Sequence, residues 1–204
     1  MIPHPSDEYL TIKSSIRNKT KIEGSIFIAT AVPADSEKEA QGSIQKISRE
    51  FFDATHNCYA FRIKDKNGEI ERSSDAGEPK GTAGVPILTA IKSENLYNTV
   101  VVVTRYFGGV KLGTGGLSRA YRRIAQSALK ETEKVTRLIT QEIKVSYPLN
   151  MTGKVNQTFG RFGIRVKEQG YADVPTSIIE VRIGLLEKIK KALKEATNGQ
   201  VKFE

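Results

Sequence analysis

The stretch NTVVVVTRYFGGVKLGTGGLSRAYRRIAQSALK, from Asn98 to Lys130, constrains the fold more than any other part of the chain. Four consecutive valines, Val100 to Val103, show no helical period and suit a strand buried on both faces. Five glycines follow, at 108, 109, 113, 115 and 116, a density that breaks regular structure. Leu117, Tyr121, Ile124, Ala125 and Ala128 then recur at helical spacing, so an amphipathic helix is expected to begin just after Gly116. The order is strand, glycine loop, helix.

A glycine loop lets backbone N–H groups converge, and a helix start adds unpaired N–H groups and the positive end of its dipole, which together suit an anion. Charge points the same way. No Asp or Glu lies between Asn95 and Lys130, whereas Arg105, Lys111, Arg119, Arg122 and Arg123 are positive. Arg119, Arg122 and Arg123, spaced three and four apart, share one side of the helix and leave its apolar stripe free. Two readings of the loop stand: an anion cradle formed with Gly113, Gly115 and Gly116, or a turn that needs glycine only for tight packing. A Walker loop is excluded, because Thr114 and Gly115 stand where Lys and Ser or Thr are required. The match to the dinucleotide fingerprint is weak, with Ser118 at the place of its third glycine and no first-strand βαβ unit with a well-placed acid after it.

The net charge of +9, from 32 basic against 23 acidic side chains, favours an anionic partner such as nucleic acid. No apolar run is long enough to cross a bilayer, and MIPHPSDEYL lacks a signal-peptide layout. A single cysteine forms no internal disulfide, so a reducing cytoplasm is the expected setting. Neither a cofactor nor a metal is implied, and two histidines with one cysteine exclude a structural zinc site.

Along the rest of the chain, Gly24 to Ala31 reads as a strand, and Ser36 with Glu39 forms a capping box ahead of a helix carrying Ala40, Ile44, Ile47 and Phe51. A hairpin is expected from Asn57 to Ser73 about Asn67-Gly68, then an irregular loop from Ser73 to Gly84 and a short helix near Pro86. After a boundary near Arg137 to Thr140, dividing 1–138 from 139–204, the pattern is β-α-β-β-α-β, the ferredoxin-like split. The fold class is therefore α+β with two domains.

Residues of reactive type cluster only at Asp53, His56, Cys58, Asp75 and Glu78. His56 and Cys58, two apart on a strand, share a face and would form a thiolate and base pair, although a buried Cys and a hydrogen-bonded His are the commoner outcome. Asp75 and Glu78 would hold Mg²⁺ beside a phosphate, or simply cap turns. Aromatic residues near the loop, Tyr106, Phe107 and Tyr121, are too few for a base-stacking ladder, so backbone and shape recognition of RNA is expected.

Taken together, DATHNCYAFRI, ERSSDAGEPKGTAGVPIL and VVVVTRYFGGVKLGTGGLSRAY resemble the IMPACT family, and the two-domain length resembles its bacterial YigZ branch. The resemblance implies an α/β first domain like the second domain of a small-subunit ribosomal protein and a late domain of elongation factor G. It implies a second domain like that factor's last one. It points to translation, with RNA, the ribosome or a translation-associated protein as partner, and it brings no catalytic residues. Eukaryotic relatives regulate translation through protein partners. An alternative is an enzyme binding a phosphorylated small ligand or nucleotide at the glycine loop, as related-fold small-molecule kinases do, although Gly113-Thr114-Gly115-Gly116 departs from their serine-rich turn.

Overall fold

The valine strand is the centre of a five-stranded sheet covered on both faces. The computed structural model describes residues 7–171 and 174–204, and residues 1–6, on which the reading of the N-terminus rests, lie outside them. Contacts divide the chain into Tyr9–Arg137 and a second unit, Leu138–Glu204 with Asp7 and Glu8. Those two N-terminal residues were expected in the first unit. Arg182 holds both, with contacts of 2.9 Å to Asp7 and 3.0 Å to Glu8, which accounts for their place.

The elements of the first unit, apart from the end residues Glu8 and Leu138, are β1 (Glu8–Ile12), β2 (Ile16–Ile22), β3 (Ser25–Pro33), α1 (Glu37–Glu50), β4 (His56–Asp65), β5 (Gly68–Ser74), α2 (Gly84–Ser93), β6 (Thr99–Tyr106), α3 (Gly113–Glu131) and β7 (Lys134–Leu138). The main sheet has the order β2-β3-β6-β4-β5 and is antiparallel throughout, while β1 and β7 form a separate pair. Alternation along β6 sends Val100 and Val102 against α1, with Ile44 and Ile47, and Val101 and Val103 against α2 and α3. The unbroken apolar run thus reflects a sheet covered on both faces.

The capping box closes α1 as expected: Ser36 Oγ accepts from the Glu39 N–H, and Glu39 reaches back to the Asp35 N–H. The start of α3 differs from expectation. It begins at Gly113, whose φ of +69° turns the chain into the helix, so Gly115 and Gly116 lie within its first turn. Each glycine costs about 1 kcal/mol in a helix. Burial of Leu117, Ala120, Tyr121 and Ile124 in the core offsets that cost.

The second unit runs β8 (Thr140–Ser146), α4 (Thr152–Phe162), β9 (Arg165–Tyr171), β10 (Pro175–Arg182), α5 (Leu186–Ala196) and β11 (Lys202–Phe203). Its antiparallel sheet, in the order β11-β8-β10-β9, has the ferredoxin-like arrangement. Gly163, at φ +60°, stops α4, and Asn198 and Gly199 turn the chain after α5. Ile143, Val145, Phe159, Ile179 and Leu193 lie in its core.

Candidate nucleic-acid interface

All the distinctive stretches of the first unit meet at one end of its sheet. Strand register brings together Ser25 at the start of β3, His56 at the start of β4 and Arg105 near the end of β6. The N-terminal ends of α2 and α3 lie in the same region, joined to the loops at 75–83 and 107–112. The glycine loop is pinned there. Gly108 packs so tightly on the β2–β3 turn that a Cβ on it would fall 1.9 Å from the Gly24 carbonyl carbon. The Phe107 N–H donates to Thr55 Oγ1 at 3.0 Å and the Gly108 N–H to Ser25 Oγ at 3.2 Å.

Beyond the pinned segment, Val110, Lys111 and Leu112 border a cavity of about 700 Å³ whose walls include Gly116, Arg119, Arg122 and Arg123 from α3. Lys111, Arg119, Arg122 and Arg123 are all exposed. Arg119 folds back so that one of its terminal nitrogens lies 3.3 Å from where a Gly115 Cβ would sit. No side chain caps the start of α3, and its first turn carries no acid, so that end keeps its positive potential. Among the described residues the one acid in the wall is Glu23, from the β2–β3 turn. Its place depends on the Gly24–Gly108 contact, which spacing along the sequence does not reveal.

Arg105 does not belong to this surface. Only 5% exposed, it pairs with Glu78 at 2.7 Å and donates to Ser25 Oγ at 3.2 Å. Its Nε is buried without a partner, and its guanidinium carbon lies 5.4 Å from the centroids of both Phe27 and Phe107. The reason for the inward turn is parity: Arg105 shares the β6 face of Val101 and Val103, which α2 and α3 cover.

The candidate catalytic residues are gathered around Arg105, engaged in structural roles. Glu78 accepts from Arg105 and, at 2.8 Å, from Tyr121 Oη, and His56 Nε2 stands 3.9 Å from its other oxygen. His56 Nδ1 lies 2.9 Å from the Ala76 carbonyl. Cys58 is fully buried, its Sγ donating to the Asp75 carbonyl at 2.9 Å, and burial pushes its thiol up to about 12. That overturns the thiolate reading, because a thiol so placed is neither ionised nor reachable at neutral pH. Burial likewise raises the Tyr121 hydroxyl.

Asp75 caps α2 from a distance, accepting from the N–H groups of Gly81, Ala83 and Gly84 at 2.7 to 2.9 Å. Burial opposes its ionisation, but those three donors outweigh it and hold the carboxyl below its ordinary value. Asp75 and Glu78 are therefore committed to N–H and guanidinium partners, and the Mg²⁺ reading falls with them. Among the described residues no group of three or more His, Cys, Asp or Glu side chains is placed to hold a metal ion. Asp53 accepts from Tyr106 Oη at 2.8 Å, away from the buried cluster.

The arrangement defines an α+β protein of two units whose first unit carries a basic cavity beside a buried polar network. The chain belongs to the IMPACT family: the model of the Impact N-terminal domain matches residues 23–129. The IMPACT family member YvyE of Bacillus subtilis is 39% identical over 165 residues, 81% of this chain and 76% of that one. YigZ of Escherichia coli is 34% identical over 131 residues, 62% of this chain and 64% of its own length. A crystal structure described as that of a hypothetical protein matches with a TM-score of 0.74 at 22% identity, covering 98% of this chain and 97% of that one, which shows a shared fold. No helix among the described residues is long and apolar enough to cross a membrane.

Proposed function

We propose that this chain is a non-enzymatic RNA-binding protein that acts in translation in the cytoplasm, gripping RNA phosphates with Lys111, Arg119, Arg122 and Arg123 at the uncapped start of α3. The observation that carries the reading is the cavity itself, where four exposed cations converge on a glycine-lined helix start against one acid, Glu23. Backbone N–H groups in the first turn of α3, at Gly113 and Gly115, add donors for a phosphate. Membership of the IMPACT family, whose resemblance implies a role in translation, supports the setting. The rival reading, an enzyme acting on a phosphorylated ligand in this cavity, is weakened because Asp75, Glu78, His56 and Cys58 do not line it.

The test is binding of purified ribosomal RNA, and separately of ATP with Mg²⁺, across a salt series, for the wild type and for Arg119→Ala/Arg122→Ala/Arg123→Ala. Loss of three phosphate contacts flattens the slope of log affinity against log salt by about two to three units. RNA binding indifferent to the triple substitution, or absent while ATP binds, refutes the reading.

A further inference from the structure

Three aromatic residues near the glycine loop look equivalent in the sequence, but the fold assigns them three different places. Tyr121 is fully buried, and Tyr106 is half-buried and tied to Asp53. Phe107 is 47% exposed, and Val110, three residues on, is 49% exposed in the wall of the basic cavity. Phe107 does not owe its exposure to a loose loop: its own N–H and that of Gly108 are bonded, and Gly108 is locked against Gly24. The Arg105 guanidinium lies over the ring from within, and Arg105 is itself fixed by Glu78 and Ser25. The inner face of the ring covers Arg105, but the ring also leaves a large apolar surface in water three residues from a cavity lined by cations. Such a ring is suited to a flat, apolar surface that arrives attached to negative charge.

Resting on the RNA-binding reading above, we infer that the favoured substrate is RNA with an unpaired base, which stacks on Phe107 while the neighbouring phosphates occupy the Lys111–Arg119–Arg123 cavity. Three residues of backbone separate ring and cavity, at most about 11 Å of chain, so one short strand of RNA reaches both. A fully paired A-form duplex would present phosphates to the cavity but keep its bases stacked within the helix, leaving Phe107 in solvent. Backbone recognition alone, expected from the sequence, therefore describes only half of the surface. The cavity supplies affinity, and the ring supplies preference for single-stranded or bulged sites.

The experiment compares two RNA hairpins of equal length and charge closed by the same structured tetraloop, one with a fully paired stem and one with a single bulged 2-aminopurine in the stem, with the wild type, Phe107→Ala, Phe107→Tyr and the triple arginine variant. Wild type binds the bulged hairpin roughly tenfold more tightly, the range expected for one stacked base, and quenches the 2-aminopurine. Phe107→Ala loses the preference and the quenching yet keeps the wild-type affinity and salt slope for the paired hairpin. Phe107→Tyr retains both, since a phenol ring stacks as well, and it also preserves the cover over Arg105. Thermal melts of each variant separate loss of the ring from loss of fold. If wild type binds both hairpins equally, or Phe107→Ala keeps the preference, the stacking inference is overturned while the phosphate cavity stands. If neither hairpin binds, or the triple variant binds both as well as wild type does, the RNA reading itself fails.

Discussion

Two glycines in the loop, Gly108 and Gly115, are expected to respond to the same substitution in opposite ways. A Cβ at Gly108 would fall 1.9 Å from the Gly24 carbonyl carbon and 2.3 Å from the Ser25 nitrogen, all of it backbone that no rotamer change can clear. The two chain segments must separate. Overpacking of this kind costs about 3 kcal/mol, which lowers Tm by about 9 °C for a chain of this size. At Gly115 φ is not positive, and the nearest atom to an added Cβ is the flexible end of Arg119 at 3.3 Å. Gly115→Ala removes a glycine from the first turn of α3 and so stabilises by up to about 1 kcal/mol. It also places a methyl group where a phosphate would approach the first turn of α3. Thermal and urea unfolding, read beside RNA affinity at fixed salt, tests both expectations. Gly108→Ala is expected to unfold early, whereas Gly115→Ala is expected to melt at or above the wild-type temperature and bind RNA several-fold more weakly. A Gly108→Ala protein as stable as wild type would refute the close approach of the two turns. Undiminished RNA binding by Gly115→Ala would show that side chains alone, and not the helix start, receive the phosphate.

Three further outcomes test the buried network. Glu78→Gln leaves the Arg105 charge buried without its counterion, and urea unfolding is expected to show a loss of about 3–5 kcal/mol; a loss below about 1 kcal/mol would mean that water reaches the pair. Cys58 in the folded protein is expected to resist iodoacetamide at pH 8 and to react at once in denaturant, and fast native alkylation would contradict its burial. Because the Asp75 carboxyl is held below 3.8, its stabilising effect is present above that value and is lost as the pH falls through the folded-state value. Acid unfolding of Asp75→Asn is therefore expected to be less steep than that of wild type below about pH 4, and identical acid limbs would remove Asp75 from that role.

Elements with a strong period were legible in the sequence, and elements decided by tertiary contact were not. Ser36 with Glu39 and the valine run each carry a local reason for their structure, and each holds; the hairpin also forms, but its turn is Lys66-Asn67, one residue earlier than expected, with Gly68 already in β5 and paired with Asp65. The start of α3 was misread because glycine count is a local signal. The helix extends back to Gly113 since Leu117, Ala120 and Tyr121 anchor it to the sheet. Glu23 and Val110 joined the cavity unannounced, because the Gly24–Gly108 contact that places the β2–β3 turn there spans more than eighty residues.

Arg105 is the instructive error, since the signal that corrects it was present. Counting charge along Asn95 to Lys130 makes Arg105 one cation among several, but period two along β6 puts it on the face of Val101 and Val103, hence under α2 and α3. The same parity places Ser25 with Phe27 and Ala29, and His56 with Cys58 and Ala60. A buried arginine demands an acid, and Glu78 in the glycine-rich loop at 75–83 meets that demand. The acids, histidine and cysteine, which by residue type suggested catalysis, are thus what an inward-facing arginine and an uncapped α2 require. Their combined effect is to hold Arg105 beneath Phe107 and to fix the loop that carries Val110 and Lys111. The residues of reactive type build the platform, and under the proposed function the cations and the ring that stand on it do the binding.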